Sequence, residues 1–152
     1  MPNGKNLGRP VEILLVEDSP SDALLAKEAL RQGKVKNTLH HVEDGVEAMA
    51  FLRKEPPFID APRPDVILLD LNLPRMSGQE VLKAIRDDKR LSSLSVIVLT
   101  TSSDERDVLA AYGLKANCYI TKPVDMQQFI ATMQALEGFW LTWVTLPPGS
   151  VE

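Results

Sequence analysis

Charged side chains stand directly after three short apolar runs of this chain. Asp70 follows the run 66–69, and Glu17 and Asp18 follow a second run. Lys122 closes a third. Carboxylates that are brought together repel one another unless a cation lies between them or one is protonated. Mg²⁺ is bound in proteins by a few carboxylates while it keeps several waters. Brought together by the fold, these residues would support magnesium binding, with a lysine placed to meet a phosphoryl group.

The order of predicted strands and helices indicates that the fold does bring them together. The predicted strands span 11–16, 38–42, 66–69, 95–100 and 118–120, and the predicted helices span 19–33, 46–54, 79–86, 103–113 and a last segment from about 124 into the 140s. Strands that alternate with helices imply right-handed crossovers and a parallel sheet with helices on both faces. We therefore predict an α/β fold built on a five-stranded parallel sheet.

The strand order selects the same charged residues. For five strands the order 2-1-3-4-5 is the common arrangement, and ligands bind at its switch point, between the ends of strands 1 and 3. Those strands end in Glu17 and Asp18 and in Asp70. The strand pattern and the carboxylate pattern therefore point to one site independently.

Each of these residues also has an ordinary structural explanation. Asp70 could cap a turn, Lys122 could be a solvated surface charge, and Thr100 could be a strand-end hydroxyl. These explanations weaken because all three are expected at one edge of the sheet. His40 and His41 could suggest a metal site, but adjacent residues of a strand point to opposite faces and cannot converge on one ion.

Composition limits the classes of function. The chain of 152 residues is 44% hydrophobic and 25% charged, with a formal net charge of −4, which gives no electrostatic reason to expect nucleic-acid binding. No apolar run reaches membrane-spanning length, and the N-terminus lacks a signal-peptide core. The single cysteine, Cys118, excludes a disulfide framework and reads as a small buried hydrophobe. We expect a cytoplasmic protein that binds neither nucleic acid nor membrane.

The apolar residues of the helices predict which faces are buried. Leu24, Leu25 and Leu30 are expected on the buried face of the first helix, and Val108, Leu109 and Tyr112 on that of the fourth. The first ten residues are expected to be a flexible lead-in, residues 11–137 the folded domain, and residues 138–152 an apolar extension of the last helix.

The sequence resembles the receiver domains of two-component response regulators over nearly its whole length. The resemblance is carried, in chain order, by Glu17-Asp18, Asp70, Pro74, Gly78, Thr100, Tyr119 and Lys122-Pro123. Segments 67–74, 98–102 and 139–141 are most similar to the stand-alone phytochrome response regulators of cyanobacteria. The resemblance implies the flavodoxin-like receiver fold and a phosphoacceptor signalling protein, which catalyses only its own phosphorylation and dephosphorylation.

The resemblance also implies roles for the acidic residues. Asp70 would be the nucleophile that accepts a phosphoryl group from the phosphohistidine of a sensor histidine kinase, with a phytochrome as the expected kind of kinase. Mg²⁺ would be bound by Asp18, by Asp70 and by the backbone carbonyl of Asn72, with Glu17 acting through water.

The phosphoryl group itself would be held by two further residues. Thr100 would hydrogen-bond one phosphoryl oxygen, Lys122 would pair with another, and Tyr119 would change rotamer with the state of Thr100. The transition state spreads negative charge over three oxygens, and Mg²⁺, the ammonium and the hydroxyl can each take one. The resemblance and the expected turn after strand five both predict a cis bond before Pro123. Thr101 is bulkier than the residue receivers more often carry there, which would slow the access of water.

Three other functions fit parts of the pattern. A haloacid-dehalogenase-type phosphohydrolase also uses an aspartyl nucleophile and Mg²⁺, but its second Asp acts as acid and base, and Asn72 stands there. A flavin carrier would need a phosphate-binding loop after strand one, where Glu17 and Asp18 would repel phosphate. A receiver-like module that is never phosphorylated remains the closest alternative, and the set of Asp70, Thr100 and Lys122 argues against it.

The C-terminal segment carries a surplus of aromatic residues. Phe139, Trp140 and Trp143 lie close together, and a short helix end cannot turn them all onto its own sheet. Large exposed apolar patches usually mark interfaces. We therefore expect a homodimer through the last helix and its tail, with capping of the domain's own surface as the alternative. With no DNA-binding segment in view, output is expected to occur by protein contact.

Overall fold

A computed structural model describes residues 10–32, 36–101, 103–125, 127–128 and 131–132. The elements run in the order β1 (Val11–Val16), α1 (Pro20–Gln32), β2 (Asn37–Val42), α2 (Gly45–Arg53), β3 (Val66–Asp70), α3 (Gly78–Asp87), β4 (Ser95–Thr100), α4 (Ser103–Ala111) and β5 (Cys118–Thr121). Residues 127–128 and 131–132 are helical, within the predicted last helix. Within the described ranges, no helix is long and apolar enough to cross a membrane.

The five strands form one parallel sheet in the order β2-β1-β3-β4-β5, as predicted. The central strand β3 pairs with β1 on one side and with β4 on the other. Its residues 66–69 are fully buried, which is why the sequence shows an unbroken apolar run there and not an alternating one. The edge strand β2 is only half-buried, so its apolar signal is weak.

Two apolar layers cover the two faces of the sheet. Val66 and Leu68 pack in the layer that contains α1, whereas Ile67 and Leu69 pack in the layer that contains α2, α3 and Leu109 of α4. Successive residues of β3 therefore serve opposite layers, as the pleat of a strand requires. The helices lie on both faces, as expected.

The buried face of α1 differs from the prediction. Leu24 and Leu25 are exposed, at 63% and 46%, and only Leu30 of the three predicted leucines is buried. The face that meets the sheet is otherwise made of alanines, Ala23, Ala26 and Ala29. Small side chains let the helix approach the sheet closely, so the bulkier leucines point away from it.

The prediction for α4 was also wrong in two of its residues. Val108 and Tyr112 are 47% and 68% exposed, whereas Leu109 between them is buried. Cys118 is half-buried at the start of the edge strand β5, less enclosed than a core residue.

Two helix starts show the local chemistry that defines them. Asp44 caps α2 by accepting a hydrogen bond from the backbone N–H of Glu47. Ser77 caps α3 with the reciprocal contacts to Glu80 of a capping box. These caps place the first helical residue one position before the predicted one in both helices.

Candidate functional site

The carboxyl ends of β1 and β3 bring three carboxylates together. Val16 is paired with Leu69 in the sheet, so Glu17 and Asp18, which follow β1, lie beside Asp70, which ends β3. Each of these three offers an oxygen within 4.8 Å of the others. Glu17 and Asp70 are buried, at 1% and 3% exposure, while Asp18 is exposed. The predicted acidic site is therefore formed.

Lys122 provides the positive charge of the site. Its Nζ lies 3.0 Å from Glu17 Oε1 and 3.3 Å from Asp70 Oδ1. The side chain is only 11% exposed. Its backbone N–H donates to the Thr100 carbonyl at 2.7 Å, and the Lys122–Pro123 peptide bond is cis, which confirms that prediction.

Asp22 is the member of the site that the sequence reasoning missed. Its Oδ2 lies 3.0 Å from Lys122 Nζ, as close as the nearest oxygen of Glu17. The sequence argument used Asp22 only as a helix-starting residue, because acids favour the first turn of a helix. One signal was available: Asp22 lies in the first turn of the helix that begins just after Glu17 and Asp18, so it starts from the same sheet edge.

Burial and mutual charge perturb the two innermost ionisable groups. Burial raises the pKa of Glu17 to about 7, helped by the nearby Asp70 carboxylate and opposed by the Lys122 ammonium. Burial alone would lower the pKa of Lys122, but hydrogen bonds with Glu17 and Asp22 and the charge of Asp70 outweigh it and hold that pKa above its ordinary value. Lys122 is therefore charged at neutral pH, whereas the Glu17 carboxyl is protonated in part of the molecules.

Thr100 and Tyr119 lie on the strands next to the carboxylates. Thr100 ends β4 and is 1% exposed, and its Oγ1 has no hydrogen-bond partner among the described residues. A buried hydroxyl without a partner is costly, so this atom suits an incoming acceptor or donor. Tyr119 pairs with Val98 across the β4–β5 ladder, and the guanidinium carbon of Arg106 lies 4.8 Å from its ring centroid.

The loop after β3 is held close to Asp70. Gly78 lies so near the Asp70 carbonyl oxygen that a Cβ atom at this position would collide with it, which explains the glycine. The Asn72 backbone N–H lies 3.4 Å from Asp70 Oδ1, and its side-chain amide donates to Glu105 Oε2 at 3.1 Å. Glu105 also accepts from the Thr101 N–H at 2.9 Å, so it links the loops after β3 and β4.

The donor set fits the metal that the sequence predicted. Carboxylate oxygens suit Mg²⁺, and the three clustered carboxylates carry more negative charge than the single Lys122 ammonium can balance. The unpartnered Thr100 hydroxyl at the same edge fits an anionic group such as phosphoryl. The two histidines lie outside this site: His40 Nε2 contacts Glu12 Oε1 at 2.7 Å, and His41 Nε2 contacts the Glu17 carbonyl at 2.8 Å.

The strand order and the position of this site place the chain in the flavodoxin-like class of doubly wound α/β domains. Within that class it belongs to the response regulator receiver family, whose domain description matches residues 13–134. The resemblance inferred from the sequence is thereby confirmed.

Comparison with known proteins shows which members of the receiver family this chain is similar to. Response regulator Rcp1 of Synechocystis is 46% identical over 138 residues, which cover 91% of this chain and 94% of Rcp1. A crystal structure of the Mn²⁺-bound form of Rcp1 matches with a TM-score of 0.71 over 91% of this chain and 99% of that one.

Two further structures belong to the same group. The bacteriophytochrome response regulator RtBRR is 41% identical with a TM-score of 0.82, covering 93% of this chain and 86% of its own. The phosphorylated cyanobacterial phytochrome response regulator RcpA is 46% identical with a TM-score of 0.72, covering 91% and 99%. The chain is thus similar to phytochrome response regulators in both sequence and fold.

Proposed function

We propose that Asp70 accepts a phosphoryl group from the phosphohistidine of a sensor histidine kinase. The observation that carries this proposal is the position of the Asp70 carboxylate: it is buried at the switch point, 3.3 Å from the Lys122 ammonium and next to the strand that ends in the unpartnered Thr100 hydroxyl. Receivers as a family take part in phosphotransfer, and the chain belongs to that family.

The reaction needs little covalent chemistry from the protein. An Asp70 oxygen forms a bond to phosphorus while the phosphorus–nitrogen bond of the phosphohistidine breaks, and the imidazole leaves with a proton from the solvent. Lys122 then exchanges its contact with Asp70 Oδ1 for a phosphoryl oxygen, and the Thr100 hydroxyl, which has no hydrogen-bond partner among the described residues, gains one. Both contacts stabilise negative charge on the transferred group.

The metal ligands that we propose are those that the resemblance to receivers implies, and the cluster of Glu17, Asp18 and Asp70 supports them. We assign Asp18, Asp70 and the backbone carbonyl of Asn72 as direct ligands of Mg²⁺ and Glu17 as a ligand through water. When bound, Mg²⁺ neutralises charge on the carboxylates and on the transferred phosphoryl group. A Mn²⁺-bound structure of the related Rcp1 supports a divalent cation as the cofactor.

Structural features argue against the two alternative functions, a phosphohydrolase and a receiver-like module that is never phosphorylated. The Asn72 amide donates to Glu105, and an amide cannot relay the proton that a phosphohydrolase of this type needs. A receiver-like module with no phosphorylation would have no use for a buried lysine surrounded by carboxylates, because unused buried charge lowers stability.

We also propose the kind of kinase and the location. RtBRR is named for bacteriophytochrome and RcpA for cyanobacterial phytochrome, which supports a phytochrome-type kinase as the phosphoryl donor here. Sensor kinases make their phosphohistidine from ATP inside the cell, so we assign this chain to the cytoplasm. Phosphorylation would switch protein contacts, with Tyr119 changing rotamer as Thr100 moves.

The dimer proposal concerns the end of the chain. Phe139, Trp140 and Trp143 lie outside the described residues, as do residues 1–9 of the predicted lead-in and most of the segment predicted as the last helix. We propose domain limits of 11–137, with 138–152 as a dimerising extension, on the strength of the aromatic surplus alone. Sedimentation of the full chain against a version truncated after Glu137, each with and without phosphodonor, tests it. A full-length chain that stays monomeric at micromolar concentration in both states would contradict it.

Phosphorylation is tested by mass. The full chain is incubated with Mg²⁺ and a small phosphodonor such as acetyl phosphate, and its intact mass is taken. We expect one added phosphoryl group in the wild type and none in Asp70→Asn. Asp60→Asn, the same change in an exposed loop, serves as the control and should be phosphorylated like the wild type. An Asp70→Asn chain that still gains a phosphoryl group contradicts the proposal.

A further inference from the structure

A carboxylate from outside the acidic cluster also contacts the ammonium of the site. Asp22 reaches Lys122 Nζ at 3.0 Å from the first turn of α1. Its side chain is 35% exposed, against 1% for Glu17 and 4% for Asp70. Among the described residues, the carboxylates that meet within 4.8 Å are those of Glu17, Asp18 and Asp70. Asp22 therefore engages the lysine without belonging to the candidate metal site.

This placement matters because Lys122 and a metal ion would use the same oxygens. Two of the three carboxylates that pair with Lys122, those of Glu17 and Asp70, are members of the candidate metal site. An ammonium resting on them repels a divalent cation and competes with it. A third carboxylate, outside the cluster, gives the ammonium a place that leaves those oxygens to the metal.

We propose that Asp22 is a positioning residue that holds the Lys122 ammonium at the rim of the site, so that Glu17 and Asp70 are available to Mg²⁺ and to the phosphoryl group. The inference rests on the proposed function, since it assumes that Mg²⁺ binds at this cluster. Asp22 touches neither the transferred group nor the metal in this account. It acts through Lys122.

A purely structural role for Asp22 makes a different prediction. An acid in the first turn of a helix stabilises that helix, and the Asp22 N–H also lies 3.3 Å from the Ser19 hydroxyl oxygen. That role explains an acid at this position, but not its contact with Lys122, which lies directly after the far strand β5. If it were the whole role, Asp22→Asn would lower thermal stability and leave metal affinity unchanged.

The test is a double-mutant cycle read out as Mg²⁺ affinity of the unphosphorylated full chain. Wild type, Asp22→Asn, Lys122→Met and the double variant are titrated with MgCl₂ by calorimetry. We expect Asp22→Asn to weaken binding about tenfold, the lower end of the effect of outer-shell partners on metal sites. In the Lys122→Met background the same substitution should change affinity by less than about twofold, because the group through which Asp22 acts is gone.

Two controls separate charge and folding from positioning. Glu28→Gln removes the same charge further along α1, where Glu28 pairs with Arg31, and should leave Mg²⁺ affinity within about twofold of the wild type. Asp22→Glu keeps the carboxylate and should restore most of the affinity lost in Asp22→Asn. Circular dichroism of each variant confirms that it is folded.

Each other outcome overturns the proposal in a recognisable way. Equal losses in both lysine backgrounds would mean that Asp22 acts on the metal directly. Unchanged Mg²⁺ affinity in Asp22→Asn, with the wild type binding Mg²⁺ and gaining a phosphoryl group at Asp70, would overturn the positioning role and leave the proposed function standing. A wild-type chain that binds no Mg²⁺ would overturn both.

Discussion

At the amino edge of the sheet Arg86 is surrounded by hydrogen-bond acceptors, whereas at the carboxyl edge Lys122 is surrounded by charges. The Arg86 guanidinium donates to the carbonyls of Ser92 and Leu94 at 3.0 and 2.8 Å and, across the fold, to the Lys115 carbonyl at 3.0 Å. It also donates to Asn117 Oδ1 at 2.9 Å. The Arg86 guanidinium thus joins the loops before β4 and β5 by hydrogen bonds.

The carboxyl edge shows the opposite pattern. Lys122 pairs with three carboxylates, Glu17 is shifted toward its protonated form, and the buried Thr100 hydroxyl has no partner among the described residues. Repulsion and unmet hydrogen bonding lower the stability of the resting protein here. The comparison separates two uses of a cation. Arg86 has a structural role, and its hydrogen bonds go to neutral acceptors. Lys122 lies among carboxylates at the site where we propose that a ligand binds.

The largest effect is expected at the amino edge. Arg86→Ala should lower the free energy of unfolding by about 3 kcal/mol. A hydrogen bond to a charged group contributes about 1.5–3 kcal/mol, and of the four that Arg86 makes only the one to the Leu94 carbonyl is partly buried, so the exposed ones add little. Phosphorylation per folded molecule should not change. Chemical denaturation and intact mass measure the two quantities. Arg90→Ala is the control: its side chain is 80% exposed with a 3.8 Å contact to Asp88, so it should cost under about 1 kcal/mol. A phosphorylation defect in folded Arg86→Ala would contradict the purely structural role of the amino edge.

At the carboxyl edge, Asp18→Ala should do the reverse. Losing a direct carboxylate should weaken Mg²⁺ binding about a hundredfold, at the upper end of what supporting residues contribute to metal sites, and should slow phosphorylation in parallel. Stability without Mg²⁺ should stay the same or rise, because one of the clustered negative charges is removed. Calorimetric titration and thermal denaturation in chelator test this. Unchanged Mg²⁺ affinity would remove Asp18 from the site.

Two glycine substitutions compare a functional and a structural turn. In Gly78→Ala the new methyl group meets the Asp70 carbonyl, so the loop must shift, at a cost of about 1–3 kcal/mol and with slower phosphorylation. Gly113 has open space around it but a φ of +68°, so Gly113→Ala should cost about 1 kcal/mol from backbone strain and leave phosphorylation unchanged. Denaturation and phosphorylation rates of the pair decide whether the two costs separate in this way.

The last effect concerns pH. The pKa of Glu17 rises from its ordinary 4.5 to about 7 on folding because the group is buried. Between about pH 4.5 and about pH 7, Glu17 therefore holds its proton more often in the folded state than in the unfolded state. As pH rises through this range, the folded state must give up that proton, so the metal-free protein becomes less stable. Glu17→Gln should flatten that part of the stability curve. Over the same range Mg²⁺ affinity of the wild type should increase with pH, because the ligand must be deprotonated. A stability curve in chelator that Glu17→Gln leaves unchanged would contradict this assignment.

The sequence was sufficient where burial and topology leave few choices. The limits of β1 and β4 are as predicted, and residues 66–69 proved buried on both faces, because a strand enclosed on two sides must be apolar throughout. The convergence of Glu17, Asp18 and Asp70 followed from strand order alone.

It was insufficient where side-chain geometry decides. The buried face of α1 is made mostly of alanines and does not include Leu24 and Leu25. The spacing of apolar residues cannot predict this, because it does not show how closely the helix packs against the sheet. Asp22 looked like a helix-starting residue, and only the three-dimensional structure shows the reach of Lys122 from β5 toward α1. Composition cannot show which charges are satisfied, so the contrast between Arg86 and Lys122 emerges from contacts alone.

The most direct test of the central claim is chemical mapping of the phosphorylated residue. The chain is phosphorylated, reduced at once with borohydride, which converts an aspartyl phosphate to homoserine, and then digested and sequenced by mass spectrometry. We expect homoserine at position 70 and at no other aspartate, with no conversion when Mg²⁺ is removed by a chelator. Homoserine at Asp18, Asp22 or any other aspartate in place of Asp70 would contradict the account.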